Sequence, residues 1–201
     1  IINVPKINNY FEQGNGVTFD LPFALFELIF KVNDPRQIFL LKHFFTFLIF
    51  FISLICFYFI LNKQFKSPLF GVIGVLFLFL SPRIFSHSFF NSKDIIFMSF
   101  NIINIYFGIK YLEKSNFKNT ILFSFFSGLS IGTRLIGIYL PILFFIFKVI
   151  QMLRSKIKLR SQFLNIFLCF ILTLMFVYIF FPYLWSNPIT NFLNAFLKIS
   201  N

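Results

Sequence analysis

Acidic side chains are scarce in this sequence: six Asp and Glu stand against 18 Lys and Arg, for a formal charge of +12. In a chain that is 58% apolar, that excess does not point to nucleic acid. Cationic loops that fix membrane topology and touch anionic lipid head groups account for it. Cysteine is sparse too. Cys56 and Cys169 lie inside apolar runs with no metal or redox spacing, so they read as small buried hydrophobes. The two histidines form no HxxxH pattern, which removes the usual His-based metal motif. No Gly-rich phosphate loop follows a strand pattern, so a nucleotide-binding fold is excluded. No charged leader with a cleavage site is present, so no signal peptide is read. The 38 Phe, set among much Ile, Lys and Asn, reflect compositional drift rather than an aromatic binding code.

What the sequence has in excess is long apolar runs. Those near 38–61, 95–109, 135–150 and 164–184 approach or exceed the length needed to cross a hydrocarbon core. That core is roughly 30 Å thick and takes about 20 helical residues. A soluble domain of 201 residues has one core to fill and no use for so many. The expected fold class is therefore all-α, a polytopic transmembrane helical bundle. About six spans are expected, at 38–61, 68–80, 95–109, 120–132, 135–147 and 163–184. Residues 21–32 are too short to span and suit an interfacial helix, with Pro22 near its start and Glu27 one turn from Lys31. Residues 1–37 then form an outer-loop remnant carrying that helix, 38–184 the membrane region, and 185–201 the start of an outer loop. Both ends of the chain read as cut, and at least one upstream span is expected.

Charge fixes the hairpins. Lys110, Lys114 and Lys118 precede residues 120–150; Lys148, Arg154, Lys156, Lys158 and Arg160 follow them. A hairpin turning at "GTR" puts both clusters on the cytoplasmic face, as the positive-inside rule prefers, whereas one long span would separate them. Lys63 and Lys66 make 68–109 a second hairpin by the same logic. The inner loops then hold ten of the 18 basic residues in short, dense segments, and five of the six acids fall outside.

On this scheme "SPRIFSHSFFNSKDIIF" (81–97) is an outer loop. Lys42, His43, Arg83, His87, Lys93, Asp94 and Arg134 come from three segments yet share one membrane depth, and Asn91 lies among them. Ionisable groups near hydrocarbon line wet cavities or pair with one another. Several cations with one carboxylate suit an anionic head group such as a lipid phosphate, which Arg grips with two donors. Plainer roles stay open: Asp94 as a helix cap, Arg83 and Lys93 as snorkelling anchors, His43 as a packing residue. A divalent metal ion held by Asp94 and an acid outside this sequence stays open as well.

Three blocks resemble, in this order, segments of the GT-C superfamily of lipid-dependent membrane glycosyltransferases: "SPRIFSHSFFNSKDIIF", "GLSIGTRLIGIYLP" and "FPYLWSNPITNFLNAF". The nearest group is glycosyltransferase family 39, the dolichyl-phosphate-mannose–protein mannosyltransferases and their bacterial relatives. The resemblance implies a multispanning enzyme that takes a sugar from a polyprenyl-phosphate carrier, generally with inversion. The acceptor would be a protein, lipid or glycan on the periplasmic or lumenal face, with a bacterial inner membrane as the setting. It implies that Asp94 holds the family's second acidic position and that Arg134 meets the carrier phosphate. The family's principal acid, in the first outer loop, is not in this sequence. Glu12 and Asp20 survive there outside the expected motif, and "NGVTFDLPFALFELIF" resembles the loop's surface helix. The rival readings are a transporter or flippase for an anionic lipid-linked substrate, and a membrane scaffold. Charges at one interface and no repeat of the 81–97 pattern favour the enzyme over a transporter.

Overall fold

The structure is a computed structural model that describes residues 18–30, 34–154 and 159–200, the side chains of 159–161 and 198–200 excepted. Expectations that fall on residues 1–17, Lys31, Lys156 and Lys158 lie outside the described residues, as does the side chain of Arg160. Helices follow one another as α1 (Asp20–Phe30), α2 (Pro35–Phe65), α3 (Pro68–Phe79), α4 (Pro82–Phe90) and α5 (Asp94–Glu113). Then come α6 (Phe117–Thr133), a 3-10 turn (Leu135–Ile138), α7 (Tyr139–Arg154), α8 (Leu159–Phe180), a second 3-10 turn (Pro182–Leu184) and α9 (Pro188–Ser200). No strand occurs among the described residues.

Local chemistry sets these boundaries. Proline opens α2, α3 and α4, where its missing N–H costs nothing. Asp34 caps α2 by accepting from the Arg36 N–H at 2.9 Å, and Asn116 caps α6 by accepting from the Asn119 N–H at 2.9 Å. Lys66 closes α2 in the left-handed conformation at φ 51.

The expected all-α membrane bundle is the fold observed. Among the described residues, 4 helices are long and apolar enough to cross a membrane: α2, α5, the Leu135–Arg154 element and the Gln162–Phe180 part of α8. The α3–α4 pair brings this to 5 if it counts as one broken span, bent by 68°. The other two expected spans are short. At 12 residues α3 reaches only about 18 Å, and α6, at 17, about 25 Å. Residues 81–97, expected as a loop, carry the helix α4 instead. Pro82 starts it, and Phe85 and Phe89, one turn apart, seat it on Phe47 of α2 and Phe79 of α3. After residue 185, Pro188–Ser200 form the helix α9.

α6 packs along α5 on one side and α8 on the other, and small residues allow the approach. Ser130 donates to Asn101 Oδ1 at 2.8 Å and Ser127 to Asn104 Oδ1 at 3.1 Å, both across to α5. Ser124 donates to the Cys169 carbonyl of α8 at 3.1 Å. The helix breaks at Arg134, whose extended backbone (φ -144, ψ 129) turns the chain into α7, so residues 120–150 form a hairpin. At the other end of α6, Lys63 of α2 pairs with Glu113 of α5. Lys148, read from sequence as a loop cation, is buried within α7, because the helix continues past it to Arg154.

A Cβ on Gly128 would lie 2.5 Å from Cβ and 3.0 Å from the backbone carbon of Phe176. At Gly74 the closest obstacle is the tip of the Leu61 side chain, which can rotate away. Gly128→Ala is therefore expected to cost about 1–3 kcal/mol, the usual price of overpacking. Thermal unfolding in detergent should show a clear loss for Gly128→Ala and a smaller one for Gly74→Ala.

Candidate functional site

The site begins with how α4 lies. Phe85 and Phe89 face α3 and α2, and Ser88 is buried, its hydroxyl donating to the Phe85 carbonyl at 2.6 Å. Arg83 and His87, one turn apart, remain at the more open surface. α4 ends at Asn91, whose N–H donates to the His87 carbonyl at 2.8 Å.

Asn91 is the junction of the site. Its Oδ1 accepts from the backbone N–H of Lys93 at 3.2 Å and of Asp94 at 2.8 Å, which caps α5. Those two bonds fix the amide's orientation, so Nδ2 is the donor. It donates to Asp94 Oδ2 at 3.1 Å and lies 2.9 Å from His87 Nδ1. His87 Nδ1 must then accept, with the ring proton on Nε2. The cap thus comes from Asn91, and the Asp94 carboxylate is left for other work. The signal was present in the sequence as "NSKD", where an Asn precedes by three residues a carboxylate that can answer it, the spacing of a capping box.

Asp94 Oδ1 pairs with Nη2 of Arg134, 40 residues further along the chain. The two side chains are 58% and 38% exposed respectively, so the pair is worth about 1 kcal/mol or less to stability. Its interest is positional: it closes a chain of contacts His87–Asn91–Asp94–Arg134 across α4, α5 and the end of α6. Arg134 Nε is buried and has no hydrogen-bond partner among the described residues. A guanidinium has five N–H donors, so Arg134 keeps unmet capacity for an anion beside its carboxylate.

The remaining sequence candidates lie elsewhere. Lys42 pairs with Asp20 at 3.2 Å and sits 5.8 Å from the centre of the Phe23 ring, fastening α1 to α2. His43 stacks on Phe39 at 3.9 Å between ring centres. Arg83 is exposed and makes no hydrogen bond or ion pair with the described residues, while Lys93 contributes its backbone N–H to the Asn91 cap. Sequence reasoning missed Thr18. Its hydroxyl donates to the Phe180 carbonyl at 3.0 Å and rests against Gly132, two residues before Arg134. No pattern in the sequence signals this contact, because it joins residues 162 positions apart.

Among the described residues no three His, Cys, Asp or Glu side chains converge, and both Asp94 oxygens already accept from Asn91 and Arg134.

Beneath the network lies an apolar cavity of about 460 Å³, between α1, α2, α5 and α6. Phe100 and Leu129 line it, six residues past Asp94 and five before Arg134, or about 7–9 Å along the helices. Phe23, Leu41 and Phe45 close its other walls. One end of the bundle therefore joins a polar, cation-bearing network to a pocket fit for hydrocarbon.

No curated protein and no solved structure matches the chain. A family model described as dolichyl-phosphate-mannose-protein mannosyltransferase matches residues 21–179, a stretch that contains the entire His87–Arg134 network. The chain belongs to that family, and so to the membrane glycosyltransferases.

Proposed function

We propose that this protein transfers a sugar from a polyprenyl-phosphate carrier to a protein, lipid or glycan acceptor at the end of the bundle that holds Asp94 and Arg134. That end faces the periplasm or lumen, and the opposite end, where Lys63 meets Glu113, faces the cytoplasm. The observation that carries the reading is the convergence of α4, α5 and α6 on one polar network directly above an apolar cavity. A phosphate-linked prenyl chain has this same two-part chemistry.

Sugar transfer leaves negative charge on the departing phosphate, and preorganised cations stabilise it. Arg134 suits that task through its unmet donors, with Arg83 and Lys93 adding positive charge nearby. Asp94 orients the acceptor hydroxyl, as a carboxylate can by accepting its hydrogen bond. Asn91 positions Asp94, and His87 orients Asn91. Lys42 acts through α1, holding that helix over the cavity.

Two outcomes test the site. In the full-length enzyme with its lipid-linked donor, Arg134→Ala and Asp94→Asn should each lower turnover tenfold or more, on the order of 1.4 kcal/mol. The amount of membrane-inserted protein should not change. Exchanging the pair (Asp94→Arg with Arg134→Asp) should restore the ion pair but not turnover. Full activity in both single variants would remove these residues from the site.

Topology is tested separately. After Cys56→Ala and Cys169→Ala, single cysteines at Arg83 and Lys63 are probed with a membrane-impermeant thiol reagent. Position 83 should react from the periplasmic or lumenal side and position 63 only after permeabilisation. Equal labelling of both from one side would overturn the orientation.

A further inference from the structure

At the end of the bundle away from Arg134, we propose a binding site for the head group of an anionic glycerophospholipid, built on Lys148 of α7. Lys148 is 5% exposed, and its ammonium donates to Gln151 Oε1 at 2.9 Å. It also lies 5.4 Å from the centre of the Tyr111 ring. Neither contact supplies a negative charge. The acid at this end, Glu113, is taken by Lys63, and Lys148 has no carboxylate partner among the described residues. The titratable groups packed around it, Tyr111 and behind it Cys169, are uncharged acids, and the other charged residues toward this end are cations: Lys110 on the Tyr106 ring at 4.3 Å, Lys114 just past α5 and Arg154 at the end of α7. A cation buried in a membrane bundle is costly until an anion answers it.

The place for that anion adjoins it. A cavity of about 280 Å³ is lined by Leu112, Phe147, Ile150, Gln151 and Arg154. Gln151 belongs to both sets: its carbonyl oxygen accepts from Lys148, it lines the cavity, and its amide N–H₂ remains a donor for an anion there. The two residues are one helical turn apart, so Gln151 leans back over Lys148 and ties it to the cavity wall. Phe147 is 47% and Ile150 39% exposed on a helix apolar enough to span, so this wall meets hydrocarbon. A soluble anion would find an apolar mouth. A lipid phosphate would find Arg154 and Gln151 at its charge, with the Lys148 ammonium directly behind Gln151, and Leu112, Phe147 and Ile150 along its chains.

The test uses the full-length protein in nanodiscs of phosphatidylcholine, with or without phosphatidylglycerol. Native mass spectrometry counts retained phosphatidylglycerol, and thermal unfolding reads its stabilising effect. Lys148→Met and Arg154→Gln should each weaken retention about fivefold, the factor one basic residue carries at an anionic surface. They should also shrink the phosphatidylglycerol-dependent rise in Tm. Lys118→Gln, an exposed cation outside the cavity, should weaken retention clearly less than either. Should Lys148→Met not fold, Arg154→Gln, at an exposed position, decides. Wild-type retention in Arg154→Gln, or an equal loss in Lys118→Gln, would overturn the site. Stabilisation by inorganic phosphate in phosphatidylcholine alone would overturn its assignment to lipid.

Discussion

The register of α5 against α6 is the constraint on which the rest depends. Two hydrogen bonds set it in the middle of the bundle, Ser130 to Asn101 and Ser127 to Asn104. Their residue numbers climb on one helix as they fall on the other, as antiparallel neighbours require. Interhelical bonds of this kind average only about 0.6 kcal/mol in membranes. Their value lies in what a slip would do. One helical turn, about 5.4 Å, would break both and leave two buried amides and two buried hydroxyls without partners. It would also carry Asp94 out of reach of Arg134. Asn104 Nδ2 is already buried without a partner among the described residues, so this contact contributes specificity more than stability.

A register fixed in the core leaves the ends free to be polar. Asp94 and Arg134 need not hold the helices together, and their exposure means that they hardly could. The rigid part of the site is instead Asn91, which spends both faces of its amide on capping α5 and tying Asp94 to His87. A carboxylate used as a cap would have been committed to backbone. Moving the cap to Asn91 leaves Asp94 one oxygen on a guanidinium, and a substrate phosphate or hydroxyl can compete for that contact. This division, with uncharged polar groups for position and exposed charges left accessible, is what the proposed transfer site needs in order to exchange partners in each turnover.

Much of this was legible in the sequence, and unequally so. Runs of apolar residues near the thickness of a bilayer admit few folds but helices, so the class and most helix positions could be read directly. Basic clusters around 63–66 and 110–118 placed those helix ends together, and the Lys63–Glu113 pair joins α2 and α5 there. α4 does not stand out as a helix in the sequence, because its nine residues mix two Ser, a His and an Arg with the apolar positions, lowering overall hydrophobicity. Its helical signal is the one-turn spacing of Phe85 and Phe89, which serves a single face. Lys42 was grouped with the site by depth alone. Depth says nothing of direction around a helix, and Lys42 points to Asp20 on α1. Contacts such as Thr18 with Phe180 depend on the three-dimensional path of the chain and leave no local pattern.

The two ends of the bundle handle charge in opposite ways, and the contrast explains why scarce acids matter. At one end Asp20 and Asp94 each answer a cation, so the network can form without any ligand. At the other, Glu113 answers Lys63 and the surrounding cations outnumber it. Six acids cannot neutralise eighteen bases. Where the acids are placed therefore decides which surface is built to hold a shape of its own and which takes its counter-charge from the membrane. A carboxylate beside Arg134 keeps that guanidinium oriented yet displaceable. The absence of one beside Lys148, among the described residues, leaves a buried positive charge whose natural complement is the phosphate of a lipid.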